Sequence, residues 1–281
     1  MIIKSRAPLR ISFAGGGTDV PPYPEMRGGA VISTTITKYA FVSLKPRSGN
    51  EMRVNSADYG LVMTFGSVSD LTYDGNLDLV KAAIRLFEVE NYGFDILVSC
   101  DVPPGSGLGS SSAVMVATIG ALKELLKKSL TSYEIAELAY KLERIELGIR
   151  GGLQDQYAST FGGFNFIEFN RSSVVVNPLR IRQEIINELH SNLLLFDTGN
   201  ARLSSGILER QIEATRKGDK VVLESLDFIK QLAIETKNSL LRGNLREFGE
   251  LLHLDWEYKK KLDSCISNPI IDNLYDLARK N

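Results

Sequence analysis

The chain of 281 residues is long enough for one large domain or two modest ones, and its 43% hydrophobic and 24% charged residues are typical of a folded globular protein. Its 33 lysines and arginines stand against 34 acidic residues, and no segment concentrates the basic ones. This composition excludes intrinsic disorder and an extended basic surface for nucleic acid or an anionic membrane. Small molecules are therefore the expected partners.

Cysteine usage and hydropathy indicate a cytoplasmic protein. Cys100 and Cys265 are too few for a disulfide framework, and no cysteine or histidine pair has the spacing of a metal site. The longest nearly continuous apolar run, residues 113–122, is shorter than the roughly 20 residues that span a bilayer. Residues 1–10 carry charges where a signal peptide needs an apolar centre, so we expect neither a targeting nor a membrane segment.

The first hundred residues predict mainly strands. Short runs of β-branched and aromatic residues, separated by Gly, Pro, Asn and Asp, predict strands at 9–14, 30–36, 39–44, 61–65 and 94–100. Apolar residues at helical spacing predict one helix among them, at 77–90.

From residue 110 the apolar period becomes helical. Three serines able to cap an N-terminus begin a predicted helix at 110–127, and the capping box of Thr131 and Glu134 begins a second one that runs to about residue 147. Glycines then break the pattern. A short helix at 153–160 and paired strands at 164–169 and 174–176 complete this half of the chain.

After residue 178 the composition changes, which predicts a domain boundary near 178–190 and two domains at 1–180 and 181–281. Patterns in the second domain predict a buried strand at 193–196 and amphipathic helices at 204–216, 220–238 and 245–262. A last helical stripe at 270–278 has no glycine cap. We therefore expect the chain to be a truncated form of a longer protein.

The strongest chemical signal is the segment Pro-Pro-Gly-Ser-Gly-Leu-Gly-Ser-Ser-Ser-Ala at 103–113, between a predicted strand and a predicted helix. Its glycines allow backbone amides to converge at a helix N-terminus, an arrangement that binds phosphate. No lysine follows the last glycine as in a Walker A loop, and Ser110 replaces the final glycine of a dinucleotide fingerprint. The alternative is a flexible turn capped by serines. The expected nucleotide-binding residues are Pro104, Gly105, Ser106, Gly107, Leu108, Gly109, Ser110, Ser111 and Ser112.

Two weaker signals are also rich in glycine. A predicted strand ends in Gly-Gly-Gly-Thr-Asp at 15–19, where Asp19 could accept hydrogen bonds from hydroxyls or could simply form a turn. Gly-Gly-Leu-Gln-Asp-Gln-Tyr at 151–157 follows the helix that carries Glu143 and Glu146. Taken alone, Asp155 could be an N-cap and Glu143 a solvated surface charge.

Together, the three segments resemble the GHMP kinases, a family named for galactokinase, homoserine kinase, mevalonate kinase and phosphomevalonate kinase. The glycine-serine segment matches the family's nucleotide motif almost letter for letter, and the Ala-Pro-x-Arg opening at 7–10 and the Asp-Gln pair at 155–156 follow the family's order. The resemblance covers residues 4–170. Within the family, the segments at 15–23 and 154–157 look most like bacterial D-glycero-D-manno-heptose 7-phosphate kinases, and next like fucokinases.

The resemblance implies an α+β fold of two domains, an N-terminal mixed sheet with helices and a C-terminal ferredoxin-like domain. It also implies transfer of the γ-phosphoryl group of ATP to the anomeric hydroxyl of heptose 7-phosphate, which gives the 1,7-bisphosphate. The chain departs from the family in one respect: after Gly206 only three scattered glycines follow, so the third glycine-rich motif is missing.

Single residues receive roles from the resemblance. Asp155 falls on the family's catalytic aspartate, and Arg10 on the basic residue beside the transferred phosphoryl group. Ser111 and Glu143 fall on the two magnesium positions, so ATP and Mg²⁺ are the expected cofactors. Because the spacing from Glu143 to Asp155 is one residue longer than in mevalonate kinases, Glu146 is the alternative to Glu143.

The expected sugar site includes Asp19, which falls on a sugar-hydroxyl binder. A sugar phosphate also needs cations, for which Arg27 and Arg150 are candidates, although either could be a surface charge. The rival functions are a kinase of another sugar, fucose first, and a non-catalytic sensor of the same fold. The other expected substrate-binding residues are Gly16, Gly17 and Thr18.

Overall fold

The computed structural model describes residues 1–89, 92–196, 198 and 205–280. These residues form an α+β structure. Its strands are β1 (Ile3–Ala14), β2 (Gly29–Arg47), β3 (Met52–Ser56), β4 (Leu61–Phe65), β5 (Gly93–Cys100), β6 (Phe164–Phe169) and β7 (Val174–Pro178).

Helices follow the strands in both halves of the chain, and a π-helix at Lys141–Glu146 directly continues the fourth of them. The α-helices are α1 (Tyr23–Arg27), α2 (Asp78–Leu86), α3 (Ser110–Leu125), α4 (Ser132–Tyr140), α5 (Gln154–Phe161), α6 (Gln183–Asn192), α7 (Ser205–Lys217), α8 (Lys220–Arg242), α9 (Leu245–Lys260) and α10 (Pro269–Lys280). No described helix is both long enough and apolar enough to span a membrane.

The chain divides into two compact units, and each takes two separate segments of the sequence. The first consists of Met1–Ile11 and Thr35–Gly163, and the second of Ser12–Thr34 and the chain from Phe164 onward. The sequence predicted a linear division at residue 180. The units differ from it because β1 and β2 are long strands, each of which begins in one unit and ends in the other.

In the first unit, β5 pairs antiparallel with the second half of β2, so that Ala40 lies opposite Cys100, and parallel with β3. β4 pairs antiparallel with β3 at the edge. Alternate residues of β2, Ala40, Val42 and Leu44, are fully buried, as expected for a strand with one face on a core. Helices α2, α3, α4 and α5 pack on one another, and α3 is buried along most of its length.

In the second unit, the first half of β2 pairs antiparallel with β6, and β6 with β7. Helix α8 packs on α9, and Tyr23, Leu226 and Ile229 are buried together in this unit's own core. Beyond Pro178 the regular elements of the described residues are all helices. The strands of this unit therefore come from the segments before that residue.

Several sequence predictions need correction. The strand predicted at 193–196 is wrong: the segment is irregular, and Leu194 and Phe196 are 78% and 73% exposed. An apolar run forms a strand only where a neighbour pairs with it, and no described strand does so here. The strands predicted at 30–36 and 39–44 are one continuous β2.

Other elements were missed or misplaced. The helix predicted at 77–90 ends at Leu86, because Glu88 takes a positive φ of 47°. Residues 90 and 204, the ends of two predicted helices, lie outside the described residues. The strand β3 and the helices α1 and α6 were not predicted from the sequence. The helix predicted to run to residue 147 ends as α4 at Tyr140, and the π-helix follows it.

Candidate active site

The glycine-serine segment joins β5 to α3 and presents its backbone at the start of that helix. Gly105, Gly107 and Gly109 take φ values of 79°, 75° and 74°, the left-handed region that favours glycine. Gly109 is the N-cap of α3, and the three serines that follow form its first turn. Residues 103–107 are exposed, so an anion can reach the backbone of the segment that leads to this helix N-terminus.

Arg10 of β1 is fastened to this segment. Its backbone N–H donates to Leu108 O at 3.0 Å, and its Nη1 donates to Gly107 O at 2.7 Å. The Nε of the same guanidinium donates to Asp155 Oδ1 at 2.7 Å, and Nη2 lies 2.6 Å from that oxygen. The structure thus brings the predicted cation, the predicted catalytic carboxylate and the glycine segment together in the first unit.

Asp155 is not the N-cap of its helix. That position belongs to Leu153, without a side-chain cap bond, and Asp155 lies inside the first turn of α5. Both guanidinium contacts fall on Oδ1, and no described residue donates to Oδ2. With Asp155 17% exposed, Oδ2 is available to a ligand hydroxyl.

Glu143 is fully buried and points its carboxylate at the start of α3. Ser111 Oγ donates to Oε1 at 2.6 Å, and Ser112 Oγ donates to Oε2 at 2.7 Å. Gln156, the residue after Asp155, donates from Nε2 to Oε2 at 2.6 Å. Arg144 Nη1 lies 3.5 Å from Oε1. These donors compensate the burial of the charge, which would otherwise be costly.

Glu146, the alternative to Glu143, lies elsewhere. Its carboxylate accepts a hydrogen bond from the Tyr73 hydroxyl at an exposed position. This contact and burial raise the pKa of Tyr73 above its ordinary range, burial being the larger cause. The geometry therefore places Glu143, and not Glu146, beside Ser111.

The donor set at Ser111 and Glu143 fits magnesium. Mg²⁺ prefers oxygen ligands and is commonly held by one or two carboxylates together with the phosphates of a substrate. The described residues contain no group of three or more His, Cys, Asp or Glu that could hold a metal ion. Among the described residues, Ser111 and Glu143 offer one hydroxyl and one carboxylate at this point, and the phosphate oxygens of a bound substrate would complete the coordination.

The predicted sugar-binding loop belongs to the second unit and is buried throughout. Gly17 N–H donates to Asp19 Oδ1 at 3.0 Å, and Thr18 Oγ1 donates to Gly15 O at 2.7 Å and lies 3.0 Å from Ala30 O. Asp19 itself is 1% exposed. A Cβ at Gly15 would lie 2.0 Å from Ala30 O, so only glycine fits there.

The two arginines predicted to bind the phosphate of the sugar belong to different units. Arg27, at the end of α1, forms an ion pair with Asp227 of α8 and is 41% exposed. Arg150 lies in the exposed loop after the π-helix, where its carbonyl accepts from Arg144 Nη1 at 3.4 Å.

Comparison with known proteins identifies the family of the chain. The family description "GHMP kinases N terminal domain" matches residues 78–163. A curated D-glycero-alpha-D-manno-heptose 7-phosphate kinase of Campylobacter jejuni is 39% identical over 284 residues, which cover 99% of this chain and 83% of that protein. The chain belongs to the GHMP kinase family. The predicted family and enzyme class, a kinase that transfers a phosphoryl group to an alcohol, are confirmed.

Two further relatives of this GHMP kinase are also sugar kinases by name. A crystal structure of a D-glycero-D-manno-heptose 1-phosphate kinase from Bacteroides thetaiotaomicron has a TM-score of 0.80 and 38% identity, and covers 93% of this chain and 80% of that one. It confirms the predicted two-domain α+β fold. A bifunctional fucokinase/GDP-fucose pyrophosphorylase of Arabidopsis thaliana is 28% identical over 98% of this chain, but that match covers only 28% of the plant protein.

Several residues that contact the predicted site residues were not predicted from the sequence. Gln156 stood inside the quoted motif at 151–157, and its place next to Asp155 was a usable signal. No local signal indicated the three residues that bind the backbone of the loop at 15–17, because they lie between 194 and 243 residues away along the chain. They are Gln211, Asp255 and Lys259.

Proposed function

We propose that this GHMP kinase is a cytoplasmic enzyme that transfers the γ-phosphoryl group of ATP to the anomeric hydroxyl of D-glycero-D-manno-heptose 7-phosphate and forms the 1,7-bisphosphate. The observation that carries the proposal is the contact of Arg10 with both Asp155 and Gly107 O. It joins a cation, a carboxylate and a phosphate-binding segment in one place. Phosphoryl transfer requires these parts, since it depends mainly on positioning and charge neutralisation.

The ATP phosphates are assigned to residues 104–112. The exposed backbone of Gly105–Gly107 and the first turn of α3 supply N–H donors, and the dipole of a helix of 16 residues favours negative charge at its N-terminus. Because Arg10 binds Gly107 O, its guanidinium lies where it can stabilise charge on the transferred group.

Magnesium is assigned to Ser111 and Glu143. When bound, the ion would neutralise charge on the phosphate oxygens. The protein's own part is to hold the Glu143 carboxylate, and Ser112 and Gln156 do so through Oε2. Oε1, which Ser111 contacts, is thereby kept in a fixed orientation toward the helix start.

Asp155 is assigned as the general base. Arg10 holds Oδ1, so Oδ2 is the oxygen that would accept the proton of the sugar hydroxyl as the bond to phosphorus forms. Asp19, with Gly16, Gly17 and Thr18, is assigned to the sugar hydroxyls. Arg27 and Arg150 are the candidates for the sugar's own phosphate.

The acceptor is tested with purified enzyme, ATP and a panel of sugars, by measuring ADP release with and without Mg²⁺. We expect turnover with heptose 7-phosphate. The ³¹P spectrum of the product should show a second phosphate, attached to the anomeric carbon. The names of the two heptose kinases differ in the phosphate they specify, so heptose 1-phosphate belongs in the panel. Faster turnover of fucose would show that the enzyme is a fucokinase and not a heptose 7-phosphate kinase. ATP binding without turnover of any sugar would favour the non-catalytic sensor.

A further inference from the structure

Two helices of the second unit bind the backbone of the glycine loop at 15–17. Asp255 of α9 accepts a hydrogen bond at Oδ1 from Gly15 N–H at 3.1 Å. One turn later on the same helix, Lys259 Nζ donates to Gly16 O at 2.8 Å. From α7, Gln211 Nε2 donates to Gly17 O at 2.9 Å. Three successive residues of the loop are thus each held by a side chain of different chemistry.

These contacts are made by groups that are costly to bury. Gln211 is 4% exposed and Asp255 is 7% exposed. Apolar residues would fill the same space without a desolvation penalty, but they could not bind an N–H and two carbonyls in a set order. The positions of Asp255 and Lys259 at i and i+4 place both side chains on one face of α9.

The loop needs such contacts, because its sequence does not choose a conformation. Gly15 and Gly17 take φ values of 88° and 104°, and glycine samples many other conformations as readily. The conformation matters for Asp19, whose Oδ1 accepts from Gly17 N–H. A rotation of the peptide at Gly16 or Gly17 would therefore displace the carboxylate assigned to the sugar.

We propose that Gln211, Asp255 and Lys259 are positioning residues for sugar binding. They fix the loop at 15–19 and thereby the direction of Asp19, and they touch the loop's backbone. The inference rests on the proposed function in one respect only, that Asp19 binds the sugar. It predicts that the three residues set the KM of the sugar and leave the KM of ATP unchanged, since the nucleotide segment belongs to the other unit.

The central experiment compares Lys259→Met with Lys260→Met. Both remove one ammonium from neighbouring positions of α9, but Lys260 pairs with Glu257 on the surface. Loss of a hydrogen bond from a charged donor to a buried carbonyl predicts a rise of about 10- to 100-fold in the sugar KM for Lys259→Met. We expect a change below about twofold for Lys260→Met and in the ATP KM of both variants.

A second pair tests the contact to Gly15. Asp255→Asn keeps an oxygen that can accept from Gly15 N–H, whereas Asp255→Leu removes the acceptor. The sugar KM should stay near the wild-type value in the first variant and rise at least tenfold in the second. Equal sugar KM values for Lys259→Met and Lys260→Met, in proteins with unchanged circular dichroism, would overturn the proposal.

Hydrogen exchange separates this inference from the identity of the sugar. If heptose 7-phosphate is not a substrate, the same KM comparison is made with the sugar that the wild-type enzyme does accept. Amides 15–19 should exchange faster in Lys259→Met than in Lys260→Met, whether or not any sugar is turned over. Unchanged exchange there would contradict a positioning role even if the proposed function holds.

Discussion

The glycines of two glycine-rich segments of this kinase differ in exposure and in packing. Gly105–Gly109 of the first unit is mainly exposed, and a Cβ at Gly107 would meet no atom within 4 Å. The loop at 15–19 of the second unit is buried, and a Cβ at Gly15 would lie 2.0 Å from Ala30 O. In the first segment glycine supplies a left-handed backbone at exposed positions. In the second it also permits close packing.

Two segments of similar, glycine-rich composition can therefore have different roles. The exposed segment is the proposed binding site for the ATP phosphates, and the Arg10 guanidinium contacts both this segment, at Gly107 O, and the Asp155 carboxylate. The buried loop has its carbonyls bound by side chains of α7 and α9, so it can hold a carboxylate in a fixed direction. The following variants break or sharpen the comparison, in order of decreasing effect.

The largest effect is expected for Asp155→Asn, because it removes the proposed general base and leaves both glycine segments intact. Turnover should fall by about 10² to 10⁴, the usual contribution of a positioned general base. ATP affinity should hardly change, since the proposed phosphate donors are backbone groups. Steady-state kinetics and nucleotide titration measure the two quantities, and near-normal kcat in the folded variant would assign the base elsewhere.

A matched pair, Gly15→Ala and Gly107→Ala, tests the packing difference directly. The two positions have similar φ values, 88° and 75°, so both variants bear the left-handed strain of about 1–2 kcal/mol. Only Gly15→Ala adds the collision with Ala30 O, which costs about 1–3 kcal/mol more. Denaturant unfolding should show this gap, and Gly107→Ala should instead raise the KM of ATP. Equal losses of stability would contradict the comparison.

Glu143→Gln and Glu146→Gln test which carboxylate serves the exposed segment. Glu143 binds Ser111 and Ser112 at the start of α3, whereas Glu146 binds Tyr73. The Mg²⁺ concentration for half-maximal rate should rise about 10- to 100-fold in Glu143→Gln, by analogy with the loss of groups that orient a metal site. It should stay within about twofold in Glu146→Gln. The reverse order would restore Glu146 as the ligand.

Much of the first site could be predicted because its information is local. The glycines, the serines at the helix start and Asp155 all lie in short motifs, and long periodic patterns identified α3, α8 and α9. The π-helix at Lys141–Glu146 was not predictable from a helical period. It changes the register within one continuous helix, as π-turns at functional sites often do.

The environment of the second loop could not be predicted for a different reason. Gln211, Asp255 and Lys259 lie on amphipathic helices, where polar residues are expected to face solvent. Their contacts with the loop at 15–17 form only after the chain has folded back over 194 to 243 residues. The strand predicted at 193–196 was wrong for the same reason, since strand pairing depends on partners that are distant in sequence.

The smallest effect concerns the pH dependence of stability in the buried loop. Burial raises the pKa of the Asp255 carboxyl above its ordinary value, against the opposite effects of Lys259 and Gly15 N–H. Between the unfolded and the folded pKa, the folded state therefore binds more protons, and the free energy of unfolding falls as pH rises through that window. Asp255→Asn cannot titrate, yet it keeps an acceptor for Gly15 N–H. On going from acidic to neutral pH, the wild type should lose stability relative to Asp255→Asn, as measured by urea unfolding at several pH values. Since Gly107 lies in exposed backbone, the free energy of unfolding of Gly107→Ala should change with pH in the same way as that of the wild type. A wild type that instead gains on Asp255→Asn as pH rises would show that Lys259 outweighs burial at this carboxyl.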